Sequence, residues 1–153
     1  MKGVKKLEKQ GIVVSEHGNQ NVFLIDWLTV TSHIDTVDTL KSKLGLGGLD
    51  IPWDDETKFM NGYPLQTKFH CITISYGADR EEFYKDGSKA RFDMGICLNM
   101  SGQGCRAFEE YGHGDWMKLL DFIFTSDKYN ITRLDLAYDD HAGILDWQRF
   151  GGT

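Results

Sequence analysis

The sequence has little of what secreted and membrane proteins need. Its three cysteines, Cys71, Cys97 and Cys105, are an odd number without a CxxC pair, which argues against a disulfide framework. The longest apolar run, residues 22–30, is interrupted by Asp26 and is far too short to span a bilayer. No apolar signal segment precedes it, so we expect a reduced, cytoplasmic protein without a membrane role.

The sequence also lacks an excess of basic residues and any histidine pair at metal-binding spacing. With 17 basic and 23 acidic residues, its formal net charge is −6, which argues against a protein that coats duplex DNA by counterion release. The five histidines include no HxH or HxxxH pair, so we expect no dedicated zinc site. Acidity still permits a metal-assisted DNA enzyme, because carboxylates collect divalent cations that then face phosphate.

Length and composition predict one domain preceded by an arm. A chain of 153 residues with 41% hydrophobic content is large enough for one core and too short for two comfortable domains. Residues 1–21 are polar, carry four lysines and show no sustained period, so we expect a mobile N-terminal arm or a short edge strand there. Residues 22–153 are then the folded part.

Periodic patterns in the sequence predict the secondary structure. β-branched and aromatic enrichment, or alternation with period two, assigns strands to residues 22–31, 63–76, 92–100 and 130–139. A variant capping box at Ser32 and Asp35 predicts a first helix that ends at Gly45, and apolar spacing from Trp116 to Ile123 predicts a second. The charged residues 79–89 are expected to be a connection between strands.

The order strand, helix, strand, strand, helix, strand is typical of one fold class. We expect an α+β, ferredoxin-like fold, the split βαβ arrangement, with an antiparallel sheet and its helices on one face. The other sheet face is then open to solvent.

Charged side chains gather on the last predicted strand, where Arg133, Asp135 and Asp139 share one face. Because the last strand of a ferredoxin-like sheet lies beside the first, Asp26 comes within reach of Asp135. Two carboxylates at that distance share a proton or hold Mg²⁺ or Mn²⁺ through oxygen ligands. The alternative is that Asp135 pairs with Arg133 or Arg106 and only anchors the sheet.

A glycine-rich segment leads from Ser101 to Glu109. Its predicted turn, with Gly102 and Gly104, suits a nest of backbone N–H groups around a phosphate, to which Arg106 adds a forked guanidinium contact. The simpler interpretation is that the glycines permit positive φ where a strand hands over to a helix, and that Arg106 pairs with a nearby carboxylate. The pattern leaves both interpretations open.

Three segments resemble a known family. They read Ile25-Asp-Trp-Leu-Thr-Val-Thr31, Met100-Ser-Gly-Gln-Gly-Cys-Arg-Ala-Phe-Glu109 and Asn130-Ile-Thr-Arg-Leu-Asp-Leu-Ala-Tyr-Asp-Asp140. In this order they resemble the N-terminal half of the Rep_trans-type replication initiation factors of rolling-circle plasmids, filamentous phages and integrative conjugative elements. The second and third segments are the specific ones, since the first matches many strands.

The resemblance implies an enzyme that recognises and nicks origin DNA, single-stranded or in a hairpin, and that works with a host helicase. In that chemistry a tyrosine attacks a phosphodiester while Mg²⁺ or Mn²⁺, held by acidic residues, polarises the phosphate. The resemblance makes Asp135 the first metal-ligand candidate, followed by Asp139, Glu109 and Asp26. For DNA binding, the candidates are Arg106, Arg133, Ser101, Gly102 and Gly104.

The nicking tyrosine of such proteins belongs to a later segment of the type Tyr-x-Gly…Arg-x-Tyr-x-Lys, which this sequence does not contain. We therefore expect residues 22–153 to be the N-terminal part of an initiator domain that is incomplete at its C-terminus, with none of the six tyrosines catalytic. The alternative function is a non-catalytic DNA- or protein-binding module derived from the same fold.

Overall fold

The structure, a computed structural model, describes residues 22–48 and 50–139. These residues form eight strands and three helices. In chain order they are β1 (Val22–Ser32), α1 (Val37–Lys43), β2 (Asp54–Glu56), β3 (Leu65–Phe69), β4 (Ile72–Tyr76), β5 (Asp79–Phe83), β6 (Lys89–Asp93), β7 (Ile96–Met100), α2 (Gly102–Tyr111), α3 (Trp116–Thr125) and β8 (Tyr129–Asp139). None of these helices is long and apolar enough to cross a membrane. The predicted arm, 1–21, and residues 140–153 of the predicted domain lie outside the described residues.

Six strands form one sheet in the order β2-β3-β4-β7-β1-β8, and every neighbouring pair is antiparallel. Strand β7 lies between β1 and β4, which α1 connects along the chain. Strand β1 likewise lies between β7 and β8, which α2 and α3 connect. These are two interleaved split βαβ units, so the predicted ferredoxin-like α+β fold is confirmed. Strands β2 and β3 extend the sheet at one edge.

The helices cover one face of the sheet because alternate strand residues are apolar. Leu28 and Val30 of β1 and Leu98 and Met100 of β7 are at most 2% exposed. They share one cluster with the buried helix side chains Leu40, Cys105, Ala107, Phe108, Trp116, Leu119 and Ile123. Burial of one large apolar side chain contributes about 1.5–3 kcal/mol, so this face is the main source of stability.

The first helix begins later than the sequence predicts. Its N-cap is Thr36, whose hydroxyl accepts a hydrogen bond from the backbone N–H of Thr39 at 3.2 Å. Ser32 Oγ instead accepts from the backbone N–H groups of Ile34 and Asp35, at 3.4 and 3.3 Å. Ser32 therefore closes a turn and does not cap the helix. The prediction was wrong because the capping box and the turn use the same kind of side-chain-to-backbone hydrogen bond.

Two of the predicted strands are each divided. Residues 63–76 contain β3 and β4, joined by a tight turn in which His70 has a φ of 49°. Residues 92–100 are divided at Gly95, whose φ is 73° and where a Cβ atom would lie 1.8 Å from the carbonyl oxygen of Ser32. Only glycine fits there. The charged residues 79–89 do connect neighbouring strands, since β4 pairs with β7. They are more than a connection, because residues 79–83 and 89 belong to the separate two-stranded sheet of β5 and β6.

The segment after β7 is the helix α2 and not the predicted glycine turn. Ser101 is its N-cap, and Ser101 Oγ accepts a hydrogen bond from Gly104 N at 3.4 Å. The helix lies so close to the sheet that a Cβ atom on Gly104 would be 2.3 Å from the carbonyl oxygen of Cys71. Glycine lowers helix propensity, so the sequence pattern did not predict this helix. The close approach of the helix to the sheet nevertheless requires glycine at position 104.

Candidate nucleic-acid interface

A row of polar side chains crosses the open face of the sheet. Its members occupy consecutive cross-strand positions, one on each of the six strands, and their neighbours along β1 and β7 point into the helix-covered core. From one edge to the other they are Asp54, Lys68, Thr73, Asn99, Thr29 and Arg133. The row therefore presents two hydroxyls, an amide, a carboxylate and two cationic groups on the open face.

Hydrogen bonds fix the centre of this row. Trp27 Nε1 donates to Thr29 Oγ1 at 3.1 Å and to Asn99 Oδ1 at 3.0 Å, and Thr29 Oγ1 donates to Asn99 Oδ1 at 2.8 Å. All three side chains are partly buried. Because one indole and one hydroxyl converge on the same amide oxygen, the three groups are held in one relative orientation.

The guanidinium of Arg133 lies over the Trp27 ring at this centre. Its carbon is 3.9 Å from the centroid of the Trp27 ring, and its nitrogens bind Asp135, with Nη2 at 2.6 Å from Oδ2 and Nε at 3.1 Å from both carboxylate oxygens. These bonds lower the pKa of Asp135 and raise that of Arg133. The two side chains are 50% and 43% exposed, so a cation of fixed orientation faces solvent.

A bulge in β1 separates Asp26 from this arrangement. The register shifts between Ile25 and Trp27, so Trp27 is the strand partner of Asp135. Asp26 lies at the start of α2, where a Cβ atom on Gly102 would be 2.7 Å from Asp26 Oδ1. A carboxylate at a helix N-terminus is favoured by the helix dipole. It lies where one of the two interpretations of the glycine-rich segment placed a phosphate.

Glu109 and Arg106 meet on the helix side of the sheet. Arg106 Nη2 donates to the carbonyl oxygen of Ile25 at 2.6 Å and to Glu109 Oε1 at 2.9 Å, and Arg106 Nε is 2.9 Å from Glu109 Oε2. Trp116 Nε1 also donates to Glu109 Oε1, at 2.8 Å. This network ties α2 to β1 and to α3. Burial raises the pKa of Glu109 in spite of these partners.

The acidic candidates are thus distributed over different parts of the fold. Asp135 is on the open face with Arg133, Asp26 is beside α2, Glu109 is buried under Arg106, and Asp139 ends β8 opposite Val22. In residues 22–48 and 50–139, no three His, Cys, Asp or Glu side chains are grouped to hold a metal ion. These residues alone do not fit a complete Mg²⁺ or Mn²⁺ site.

Comparison with known proteins gives this geometry a family. The family model described as the rolling circle replication initiation protein N-terminal domain matches residues 22–125. The chain belongs to this family. A solved structure, that of the rolling circle replication initiator protein from Geobacillus stearothermophilus, is 26% identical with a TM-score of 0.66. The match covers 86% of this chain and 49% of that one, so the chain spans about half of the initiator's length. No curated protein matches.

The initiator domain contains site residues that the sequence argument did not assign. Thr29, Asn99, Thr73 and Lys68 were not singled out. The available signal was the alternation of residues between the two faces of a strand. Alternation shows which face a residue is on only when the strand pairing is known. Asn99 joins Trp27 from 72 positions away, which no local pattern reveals.

Two tyrosines of the initiator domain are in surroundings that oppose nucleophilic attack. Burial raises the pKa of Tyr63, and burial together with the hydrogen bond to Asp35 raises the pKa of Tyr129. Both side chains are also buried, with Tyr63 5% and Tyr129 7% exposed, so neither is placed to attack a phosphodiester of bound DNA.

Proposed function

We propose that the open sheet face of this initiator domain binds single-stranded or hairpin origin DNA. The observation that carries this proposal is the fixed Arg133 guanidinium on the Trp27 ring, beside the polar row. An exposed, planar cation suits both a phosphate and the face of an unpaired base. The row spans five inter-strand gaps of about 4.8 Å, or about 24 Å in all, which is enough for an extended strand.

The charges on this face favour a single strand over a duplex. Lys68 and Arg133 are at separate positions in the row. Asp54 is the cross-strand partner of Lys68, and Asp135 forms an ion pair with Arg133. Because the net charge of the chain is −6, long-range attraction of a highly charged duplex is weak. We expect modest, salt-sensitive affinity that depends on local contacts with phosphates and bases.

Nicking is the activity that we propose for the complete initiator. In that step a tyrosine oxygen forms a bond to the scissile phosphorus, the 3′ oxygen leaves as a hydroxyl, and the DNA 5′ end stays on the protein. We assign the nucleophile to neither Tyr63 nor Tyr129, because both side chains are buried. A host helicase partner likewise stays a proposal.

A Mg²⁺ or Mn²⁺ ion near Asp135 is a separate proposal. Of the four acidic candidates, Asp135 has its carboxylate beside the polar row and is 43% exposed. When bound, such an ion would polarise the scissile phosphate. Asp135 would supply one oxygen ligand after exchanging its contact with Arg133, although the described residues group no three His, Cys, Asp or Glu side chains around it.

The alternative function is a DNA-binding module without catalysis. The ion pair of Arg133 with Asp135 favours this non-catalytic function, since a carboxylate that only orients an arginine needs no metal. Both functions require DNA on the open face, so that binding is the first property to test.

Fluorescence anisotropy with a labelled 12-nucleotide single strand tests it. We expect the Arg133→Ala, Lys68→Ala double variant to bind at least about tenfold more weakly, because two phosphate or base contacts are lost. The matched control is Lys118→Ala, which removes a cation from exposed α3 on the helix side. Equal binding by the double variant, or an equal loss in the control, would refute the open-face proposal.

A further inference from the structure

The side-chain amide of Asn99 lies at the centre of the polar row, and its two ends have different surroundings. Its Oδ1 accepts hydrogen bonds from Thr29 Oγ1 at 2.8 Å and from Trp27 Nε1 at 3.0 Å. In residues 22–48 and 50–139, its Nδ2 has no hydrogen-bond partner, and this atom is not buried. Because an amide oxygen has two lone pairs, the amide offers only N–H donors to a ligand on the open face.

The indole of Trp27 determines the orientation of this amide. An indole N–H donates a hydrogen bond and cannot accept one, so it must face the oxygen of Asn99 and not the nitrogen. The Thr29 hydroxyl donates to the same oxygen. The indole is itself covered by the Arg133 guanidinium, whose carbon is 3.9 Å from the ring centroid. The donors of Asn99 are therefore oriented before a ligand binds, which lowers the entropy cost of binding.

The groups beside Asn99 add to this donor character. Arg133 uses Nε and Nη2 to bind Asp135, which leaves its Nη1 without a partner in the described part of the chain. The same bonds occupy the Asp135 carboxylate. On the other side of Asn99, Thr73 Oγ1 donates to the backbone oxygen of Asn99 at 3.3 Å. A DNA group at the centre of the row therefore meets N–H donors from both Asn99 and Arg133.

We propose that Asn99 selects thymine in the bound DNA strand, an inference that rests on the proposed function of the open face. A carbonyl oxygen on a base edge accepts a hydrogen bond from Asn99 Nδ2. An amino group in the same place would direct one donor at another and leave both without an acceptor. Among the four DNA bases, only thymine has carbonyl oxygens and no exocyclic amino group.

Adenine is the competing ligand, because asparagine commonly pairs with it. In that contact the amide oxygen accepts from the adenine amino group, while the amide nitrogen donates to N7. Thr29 and Trp27 already occupy the oxygen of Asn99. Adenine would therefore form one of the two bonds and leave its amino group without an acceptor on this amide, which removes the usual preference.

Fluorescence anisotropy with oligodeoxyuridine, oligodeoxycytidine and oligodeoxyadenosine strands of equal length tests this selection. Uracil has the two carbonyl groups of thymine and lacks its methyl group, so it differs from cytosine at the base edge alone. We expect the parent to bind oligodeoxyuridine at least about fivefold more tightly than oligodeoxycytidine, because the donor contact is made only with a carbonyl. Oligodeoxyadenosine should also bind more weakly than oligodeoxyuridine.

The same measurement separates this inference from the proposed function. If all three strands bind with equal affinity, the selection of thymine is overturned and the open-face proposal stands. Tighter binding of oligodeoxycytidine or oligodeoxyadenosine likewise overturns the selection alone. If none of the strands binds, both proposals are overturned.

Asn99→Asp tests whether the amide causes the preference. This variant keeps an oxygen for Trp27 and Thr29 and replaces the donating nitrogen by an accepting oxygen. The added charge weakens the binding of every strand, so the ratio of Kd values is the quantity to compare. That ratio should shift toward oligodeoxycytidine, whose amino group can donate to the new oxygen. The matched control is Gln103→Glu, the same change on an exposed side chain of α2, which should keep the parent ratio.

NMR of the Asn99 side-chain amide in the parent provides a readout that does not depend on the folding of a variant. We expect oligodeoxyuridine to shift the Nδ2 nitrogen and proton resonances more than oligodeoxycytidine does. Unshifted Nδ2 resonances in the presence of bound oligodeoxyuridine would overturn the inference. A folded Asn99→Asp variant that keeps the parent ratio would overturn it as well.

Discussion

Two arginine–carboxylate pairs on opposite faces of the same sheet have similar geometry and different surroundings. Arg106 and Glu109 approach to 2.9 Å, and Arg133 and Asp135 approach to 2.6 Å. The side chains of the first pair are 34% and 7% exposed, whereas those of the second are 50% and 43% exposed. Distance alone would give both pairs the same role.

Burial separates those roles. Glu109 also accepts from Trp116, and Arg106 also donates to the β1 backbone, so the buried pair has become part of the joint between helices and sheet. The exposed pair rests on one ring and keeps one side toward solvent. A buried charge that loses its partner is costly, whereas an exposed one is rehydrated. The buried pair is therefore suited to a structural role. In the exposed pair, Arg133 can exchange its contact with Asp135 for a contact with a ligand.

The largest effect expected from this comparison is on stability. Glu109→Ala should lower the free energy of unfolding by about 3 kcal/mol, because it leaves a partly buried guanidinium and the Trp116 N–H without their acceptor. Asp135→Ala should lower the urea midpoint much less, because an exposed ion pair contributes little to stability. Urea unfolding of both variants beside the parent provides the measurement, and similar losses in the two variants would show that burial does not distinguish the pairs.

A second, smaller effect is a difference in the sign of the pH dependence. Burial raises the pKa of Glu109, so its contribution to stability falls as pH rises from the ordinary glutamate range through the folded value. Arg133 lowers the pKa of Asp135, so its contribution is present above the ordinary aspartate range and falls as pH drops through the folded value.

Unfolding free energies across the acid range measure this contrast against isosteric variants. The parent's stability relative to Glu109→Gln should decrease with rising pH, and its stability relative to Asp135→Asn should increase. Slopes of the same sign would contradict the assignment of desolvation to one carboxyl and cation pairing to the other.

The smallest expected effect is that of a divalent cation. Millimolar Mn²⁺ should broaden resonances near Asp135 and raise the melting temperature slightly, while resonances near Glu109 stay unchanged, because only the first carboxylate is accessible. The control is Asp135→Asn, which should remove both effects. An unchanged melting temperature together with unbroadened spectra would eliminate the metal proposal for this domain.

Much of the fold was accessible from sequence patterns. The connection rules and the strand patterns around Val30, Leu98 and Leu134 predicted the order of β8, β1, β7 and β4 correctly. The errors arose where tertiary contacts overrode local preference. Gly104 belongs to a helix because the helix touches the backbone of Cys71, and Gly95 interrupts an alternating run because it packs on Ser32.

Less of the candidate site was accessible. The pairing of Asp135 with Arg133 was one of the stated alternatives, because both residues lie on one strand. The contacts of that pair with Trp27, and of Trp27 with Asn99, depend on the register of three strands. A bulge at Asp26 sets that register, and no sequence pattern predicts the bulge.

The pairing of Val22 with Asp139 has a mechanical consequence. Strands β1 and β8 are antiparallel neighbours, so a force pulling residues 22 and 139 apart would open their ladder one hydrogen bond after another, as in unzipping. The Trp27–Asp135 step lies only a few rungs from that end, and the pairs with β7 begin at Leu28. Tension at this corner would therefore separate Trp27 from Asp135 before it opened the pairs between β1 and β7.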